Sequence, residues 1–260
     1  GMERLRGGLE LGSTIYRLSG TAKASGLQQG WSVIIKAIQP DRANGDPSGC
    51  HYWKRESLAY QSGLLYTLPG KVTAPRCFDV RENPDGSVWI CMEEVKDGQA
   101  HPWSLELYTH IARQLGEFNG AYLAGRALPN ESWITHDWLR KYLQLAAPMV
   151  DFIRQNPAHP VVQKMLPGII QPLTLAVWEE RPHMLKILDG MPQTFCHQDA
   201  FERNLFYRAG ELVAIDWNFT GIAPVGTELV ALIGAAGLAN FPFSQARQLD
   251  QACFEGYLEG

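Results

Sequence analysis

The stretch TFCHQDAFERNLFY, residues 194–207, sets His197, Asp199 and Asn204 between two apolar runs. A second carboxylate, Asp216, closes the apolar run in AIDW in the same way. Two aspartates and an asparagine, with no thiolate and one imidazole beside them, offer hard oxygen ligands. Such ligands suit Mg²⁺, which is typically held by one or two carboxylates together with substrate phosphates. A carboxylate such as Asp199 can then accept a proton from, or orient, an attacking hydroxyl, and the set becomes a phosphoryl-transfer arrangement. The plainer alternative is that Asp199 and Asn204 cap a turn while His197 satisfies a core hydrogen bond.

These side chains need elements that bring them together. QTFC reads as a short strand, and NLFYRAGELVAID as a hairpin turning at Ala209-Gly210, so Asn204 and Asp216, at its two ends, should be neighbours. Asp199 lies in the loop that feeds the hairpin. Up to about residue 95, β-rich runs alternate with turn signals: STIYRLSG, WSVIIKAI, APRCFDV and SVWICMEEV. The last two are joined by RENPDG, whose Asp85-Gly86 pair tolerates positive φ and favours a hairpin. Between the second and third runs, YWKRESLAYQSGLLYTL has a helical rhythm. From Ser104, an N-cap candidate, the period becomes helical, with further helices expected at about 134–154, 160–167 and 173–189, the last kinked or divided at Pro182. KDGQAHP marks the boundary between a first lobe, residues 1–96, and a second, residues 97–260.

The pattern H-x-D-x-x-x-x-N over 197–204, followed by Ile215-Asp216, resembles the aminoglycoside phosphotransferase and choline kinase-like family, whose members share the protein-kinase fold. With 7 His, 11 Asp and 8 Asn in 260 residues, chance gives the pattern roughly 0.01 times per such sequence. GIAPVGTELVALI after Asp216 is similar to the family's segment following its metal-binding aspartate. The resemblance implies an α+β, two-lobed protein-kinase-like fold: an N-terminal antiparallel sheet lobe with one helix, and a mainly helical C-terminal lobe. It implies Asp199 as catalytic base, Asn204 and Asp216 as Mg²⁺ ligands, and His197 as a loop-stabilising residue.

The same resemblance assigns residues of the first lobe to the nucleotide, ATP or GTP. Lys36, at the end of a β-branched run, would contact the α- and β-phosphates, with Glu56 as its helix partner. Met92 would flank the base, and the Glu93 carbonyl and Val95 amide would bind its edge. RGGLELGSTIYRL offers Gly7, Gly8 and Gly12, without a full G-x-G-x-x-G, and Gly12, Ser13 and Thr14 would bring amides and hydroxyls to phosphate oxygens. Two features depart from the family. Gln198 stands where glycine is usual, and the chain stops at Gly260 inside a helical pattern, so that part of the acceptor pocket is expected to be missing or differently built.

Composition sets the outer limits. A chain of 260 residues with 45% hydrophobic and 19% charged residues suits two small lobes sharing a cleft. A net charge of -4 argues against a nucleic-acid partner, and no apolar run approaches the roughly 20 residues of a membrane span. Five cysteines without C-x-x-C spacing read as reduced thiols, and with no expected secretory leader the protein is placed in the cytoplasm. Gly1 ahead of Met2 reads as an expression remnant.

The activity expected is transfer of the γ-phosphate of ATP or GTP, with Mg²⁺, to a hydroxyl of a small molecule, antibiotic or metabolite. A nucleotide-binding pseudokinase and a metal-dependent hydrolase are the alternatives; the latter would gather several histidines, and the other six here are scattered. For the acceptor, Glu106, Glu117, Glu131, Asp137 and Asp151 could hold a polycation if they converged. Trp103, Trp133, Trp138 and Trp178 would suit a choline-like cation or a sugar face.

Overall fold

The computed structural model describes residues 1–260 except 6–11, 25, 97 and 100. Gly7 and Gly8 of the expected phosphate loop lie outside the described residues. The first half forms a five-stranded antiparallel sheet of order β1-β2-β3-β6-β5. Its strands are β1 (Met2–Leu5), β2 (Ser13–Ala24), β3 (Leu27–Ile38), β5 (Cys77–Glu82) and β6 (Val88–Glu93). β2 and β3 pair without a break from Ser13↔Ile38 to Ala24↔Leu27, well past the apolar runs that announce them. The far end of this hairpin is solvated, Leu27–Trp31 being exposed, so no apolar alternation marks its strands.

The buried end of β3 is what the site depends on. Ala37 and Ile38 face the core, and between β2 and β6 the strand holds Lys36 at register positions opposite Ile15 and Ile90. The β5–β6 turn forms as expected, but only Gly86 takes positive φ, at 83°. Asp85 instead accepts from the Ser87 N–H at 2.9 Å and hydroxyl at 2.7 Å, holding the turn from its side chain. The expected helix appears as α1 (Arg55–Gln61), broken by Gly63 in the left-handed region before a 3₁₀ turn at Leu64–Tyr66.

The second half is mainly helical. α2 (Leu105–Leu123) begins at Ser104, whose hydroxyl accepts from Leu107 N at 3.2 Å. Its apolar stripe, including Ile111, Leu115 and Phe118, is buried in the core. α7 (Ala246–Glu259) lies against it so closely that a Cβ at Gly256 would sit 2.5 Å from the Thr109 carbonyl. α3 (Trp138–Gln155), α4 (Pro160–Met165) and α5 (Ile170–Asp189) follow α2, and α5 runs unbroken through Pro182. The site-bearing strands come next: β7 (Gln193–Cys196), β8 (Leu205–Arg208), β9 (Glu211–Ala214) and β10 (Gly221–Pro224), then α6 (Thr227–Gly234). β10 pairs with β7, and β9 lies between β8 and β4 (Val72–Thr73), so a strand from the first half is stitched in parallel to the second.

Arg55 fastens the halves at a second place. It is fully buried and, among the described residues, no carboxylate forms an ion pair with it; its guanidinium donates to the carbonyls of Trp133 (2.9 Å), Cys50 (3.2 Å), Asn218 (3.0 Å), Pro47 (3.1 Å) and Gly49 (2.5 Å). Burial lowers its pKa to about 10, which leaves it charged at neutral pH. Hydrogen bonds to a charged group are worth about 1.5–3 kcal/mol each, and carbonyls stripped of a donor carry a desolvation cost. Arg55→Met should therefore lower unfolding free energy by at least about 3 kcal/mol. The check is a drop in the urea midpoint with the m-value unchanged; a midpoint within error of the unaltered protein would contradict it.

Candidate active site

A lysine ammonium inside a sheet is unfavourable unless its charge is met. Lys36 is 5% exposed, and its Nζ lies 2.5 Å from Glu56 Oε2 on α1 and 2.6 Å from Asp216 Oδ1 just after β9. Burial works to discharge the ammonium, but Asp216 and Glu56 outweigh it and hold the lysine pKa above its ordinary value. Burial alone would likewise raise the Asp216 carboxyl; Lys36 brings it below the usual aspartate value. Asp216 adopts φ 64°, ψ 61°, a left-handed backbone for a non-glycine residue, and Asn218 Nδ2 reaches the same Oδ1 at 2.5 Å.

The hairpin brings Asn204 beside the end of β9, as expected. Ala209 and Gly210 both take positive φ, the β8–β9 ladder runs from Leu205↔Ala214 to Arg208↔Glu211, and the Ile215 N–H donates to the Asn204 carbonyl at 2.9 Å. Asn204 closes a 3₁₀ turn, Glu202–Asn204, and its Nδ2 donates to Asp199 Oδ2 at 2.6 Å and to the Asp199 carbonyl at 2.9 Å. Asp199, Asn204 and Asp216 all line one cavity of about 1320 Å³.

His197 holds the loop from below. It is 1% exposed; Nδ1 accepts from the Asp199 N–H at 3.2 Å, so the proton resides on Nε2, which donates to the Ile215 carbonyl at 2.9 Å. Burial lowers its pKa to about 4, leaving a neutral ring, packed edge-on against Trp217 at 4.5 Å. It thus ties the Asp199 loop to the end of β9.

Other groups of this scaffold escape a reading of the sequence. Glu228, fully buried in the first turn of α6, accepts the backbone N–H groups of His197 at 2.5 Å and Gln198 at 3.1 Å. Burial raises its pKa to about 7 against the opposing pull of those two donors. Gln198, where the resembled family has glycine, sits at φ 65° and is held there by that bond to Glu228. Its side-chain amide lies against Gly221, where a Cβ would be 2.7 Å from Nε2. Glu202 anchors the far side of the loop, accepting from Tyr108 Oη at 2.6 Å and pairing with His101 Nδ1 at 2.6 Å. Asn119 of α2 donates to the Phe195 carbonyl at 2.9 Å and accepts from Tyr257 Oη at 2.7 Å. In the sequence these look like ordinary polar residues of helices; the one local signal is Glu228 itself, an acid among apolar residues in GTELVALI.

The remaining expected residues scatter. Ser13 is 5% exposed and lines the cavity; Gly12, at φ 67°, accepts from Gln39 N at 3.2 Å, and Thr14 pairs with Ala37. Met92 is buried in the core, the Glu93 N–H is bonded to the Arg76 carbonyl at 2.9 Å, and neither they nor the half-buried Val95 line this cavity. The five acids of the helical half do not converge there: Asp137 alone among them lines it. Of the four tryptophans, Trp138 lines it, Trp103 and Trp133 belong to the core, and Trp178 lies under Arg181 at 4.2 Å. Among the described residues no group of three or more His, Cys, Asp or Glu side chains could hold a metal by itself, and no helix is long and apolar enough to cross a membrane. The donors present fit a hard cation that is also held by phosphates: the Asn204 nitrogen is occupied by Asp199, which leaves its oxygen as the ligand, and Asp216 supplies a carboxylate.

Comparison with known proteins bears on the whole chain. Residues 54–260 match the model of the phosphotransferase enzyme family. No curated protein matches the chain in sequence. Among solved structures, amicoumacin kinase hAmiN in complex with AMP-PNP, Ca²⁺ and its ligand Ami is 12% identical with a TM-score of 0.57, over 98% of this chain and 71% of that one. Aminoglycoside phosphotransferase APH(3'')-Id from Streptomyces rimosus, with ADP and streptomycin, is 15% identical with a TM-score of 0.57, over 96% and 87% of the two chains. The GDP complex of aminoglycoside 2'-phosphotransferase-IIIa gives 14% and 0.53, over 99% and 82%. These likenesses establish a shared two-lobed, protein-kinase-like fold, and with the family pattern running from α1 to the last residue, the chain belongs to the phosphotransferase enzyme family of small-molecule kinases.

Proposed function

We propose that the protein transfers the γ-phosphoryl group of ATP or GTP to a hydroxyl of a small molecule, with Mg²⁺, in the cytoplasm. The observation that carries this reading is the Lys36 ammonium bridging Glu56 and Asp216 while Asp199, bonded to Asn204, faces the same cavity. The similar structures bear AMP-PNP, ADP or GDP, which supports a nucleoside triphosphate as donor. Residues 1–96 serve as the nucleotide lobe and 97–260 as the catalytic and acceptor lobe. Lys36, oriented by Glu56, meets the α- and β-phosphates, with Gly12, Ser13 and Thr14 above them and Met92, Glu93 and Val95 at the base. Asn204 and Asp216 hold Mg²⁺, which when bound neutralises charge on the phosphate oxygens.

Asp199 orients the acceptor hydroxyl and takes its proton as the new O–P bond forms and the bond between the γ-phosphorus and the bridging oxygen breaks. Asn204 fixes the Asp199 carboxylate by its 2.6 Å bond to Oδ2, and His197 and Glu228 fix the loop that carries it. Fixing the base before substrate arrives removes a reorganisation cost from the reaction step.

Two outcomes test these roles. Asp199→Asn keeps shape and most hydrogen bonding but loses the charge, so kcat should fall by about 10²- to 10⁴-fold while nucleotide affinity changes little. Retained kcat would refute the assignment, and loss of nucleotide binding with the fold intact would make Asp199 a metal ligand instead. Lys36→Ala and Glu56→Ala should each reduce kcat/KM, the second less, and the double variant should lose little more than Lys36→Ala alone because Glu56 acts through Lys36. Steady-state kinetics on the full double-mutant cycle decides this; additive losses would mean that the pair is not functional.

A further inference from the structure

The cavity that holds Asp199 and Asp216 continues past them between α3, the end of α5 and α6, and its wall there is built from rings and aliphatic side chains. Trp138 and Tyr142 of α3 stack with centroids 5.0 Å apart and planes 8° apart, and Phe219 leans on Trp138 at 5.5 Å. His51 sets its edge against Phe219 at 5.5 Å. All four line the cavity, and Phe219 stands three residues from Asp216, so the ring wall begins beside the reacting groups. Leu139, Val230 and Phe254 extend it and are 39%, 75% and 54% exposed, more apolar surface than a cavity meant for water would show.

Away from Asp199 and Asp216 the charges of the lining are equal in number. Apart from Asp199 and Asp216 it holds two carboxylates, Asp137 and Asp189, and two guanidiniums, Arg140 and Arg203. Asp189 is bound to Arg140 at 2.5 Å, while Arg203 lies over the Phe201 ring at 5.1 Å and balances Asp137 in number only. A polycation drawn out of water needs a carboxylate for each ammonium it loses to the site, and this wall does not supply them. A single quaternary ammonium needs ring faces converging on one point. Here the faces of Trp138 and Tyr142 are turned on each other, so they do not converge on one point as a cage.

Resting on the phosphotransferase reading above, we propose that the acceptor is a hydroxyl carried by a largely apolar, ring-bearing molecule without multiple positive charges, seated against the Trp138–Tyr142–Phe219 wall. Such a molecule gains by burying its rings, and its hydroxyl is brought to Asp199 by shape rather than by charge.

The test uses the full chain with quercetin, estradiol and naphthylethanol as ring alcohols, kanamycin as a polycation and choline as a quaternary ammonium, each titrated calorimetrically in the presence of Mg²⁺ and AMP-PNP. At least one ring alcohol should bind more tightly than kanamycin and choline, with an affinity little changed between about 0.05 and 0.5 M salt. Tyr142→Ala, at a position 44% exposed and so without core packing to lose, should weaken that ring alcohol roughly fivefold or more and leave AMP-PNP binding unchanged. Tighter binding of kanamycin or choline, a steep fall with salt, indifference to Tyr142→Ala, or binding of none of the ring alcohols would each overturn the proposal. The phosphotransferase reading fails separately: the sign would be no binding of AMP-PNP with Mg²⁺ to the unaltered protein, whatever the acceptor titrations give.

Discussion

A single buried ammonium organises this molecule. Lys36 sits where β3 enters the core, and its charge can remain there only because Glu56 arrives from α1 and Asp216 from the end of β9, at 2.5 and 2.6 Å. Three elements that are far apart in the chain are thereby held to one point. Truncating either carboxylate would leave a charge with half its compensation in a medium that screens poorly. The two acids are not equally enclosed: the Glu56 side chain is 1% exposed and that of Asp216, which lines the cavity, 35%.

Around that point the backbone of the Asp199 loop is braced from every side. Glu228 accepts two of its amides, His197 links it to β9 through a neutral ring, Asn204 ties its carboxylate, and Glu202 connects its far end to α2. The brace explains how Gln198 stands at positive φ, a conformation that costs an L-residue about 1–2 kcal/mol. Its N–H is bonded to Glu228 and its side chain packs against Gly221, which has no Cβ to oppose it. Strain of this kind persists only where the surroundings over-determine it. A side chain in place of the family's usual glycine therefore changes the wall beside Asp199 without freeing the loop.

The two walls of the cavity follow different physics. One is polar, built from Asp199, Asn204 and Asp216, with Lys36 bonded behind Asp216. The other is apolar and partly open, with Asp189 bound to Arg140, and it offers area rather than directed bonds. Charge and apolar area are thus separated in space.

Much of this was legible in the chain itself. The spacing of His197, Asp199, Asn204 and Asp216, the turn at Ala209-Gly210, the cap at Ser104 and the helical period after it are local facts, and each appears in the structure at the expected element. They are local because a turn type, a cap or an amphipathic stripe is set by residues within a few positions of one another. The solvated end of the β2–β3 hairpin and strand β1 left no such trace, since strands exposed on both faces carry no apolar alternation. Nor did the Glu202 carboxylate, the Asn119–Tyr257 link or the Arg55 bonds to the carbonyls of Trp133 and Asn218, whose meaning depends on partners tens to more than a hundred residues away. Which acids converge was likewise decided only by folding: of Glu106, Glu117, Glu131, Asp137 and Asp151, a helical lobe of this curvature turns one, Asp137, into the cavity. Sequence period places a side chain on a face of its own element, but which face meets a cavity is fixed by the packing of the elements against one another.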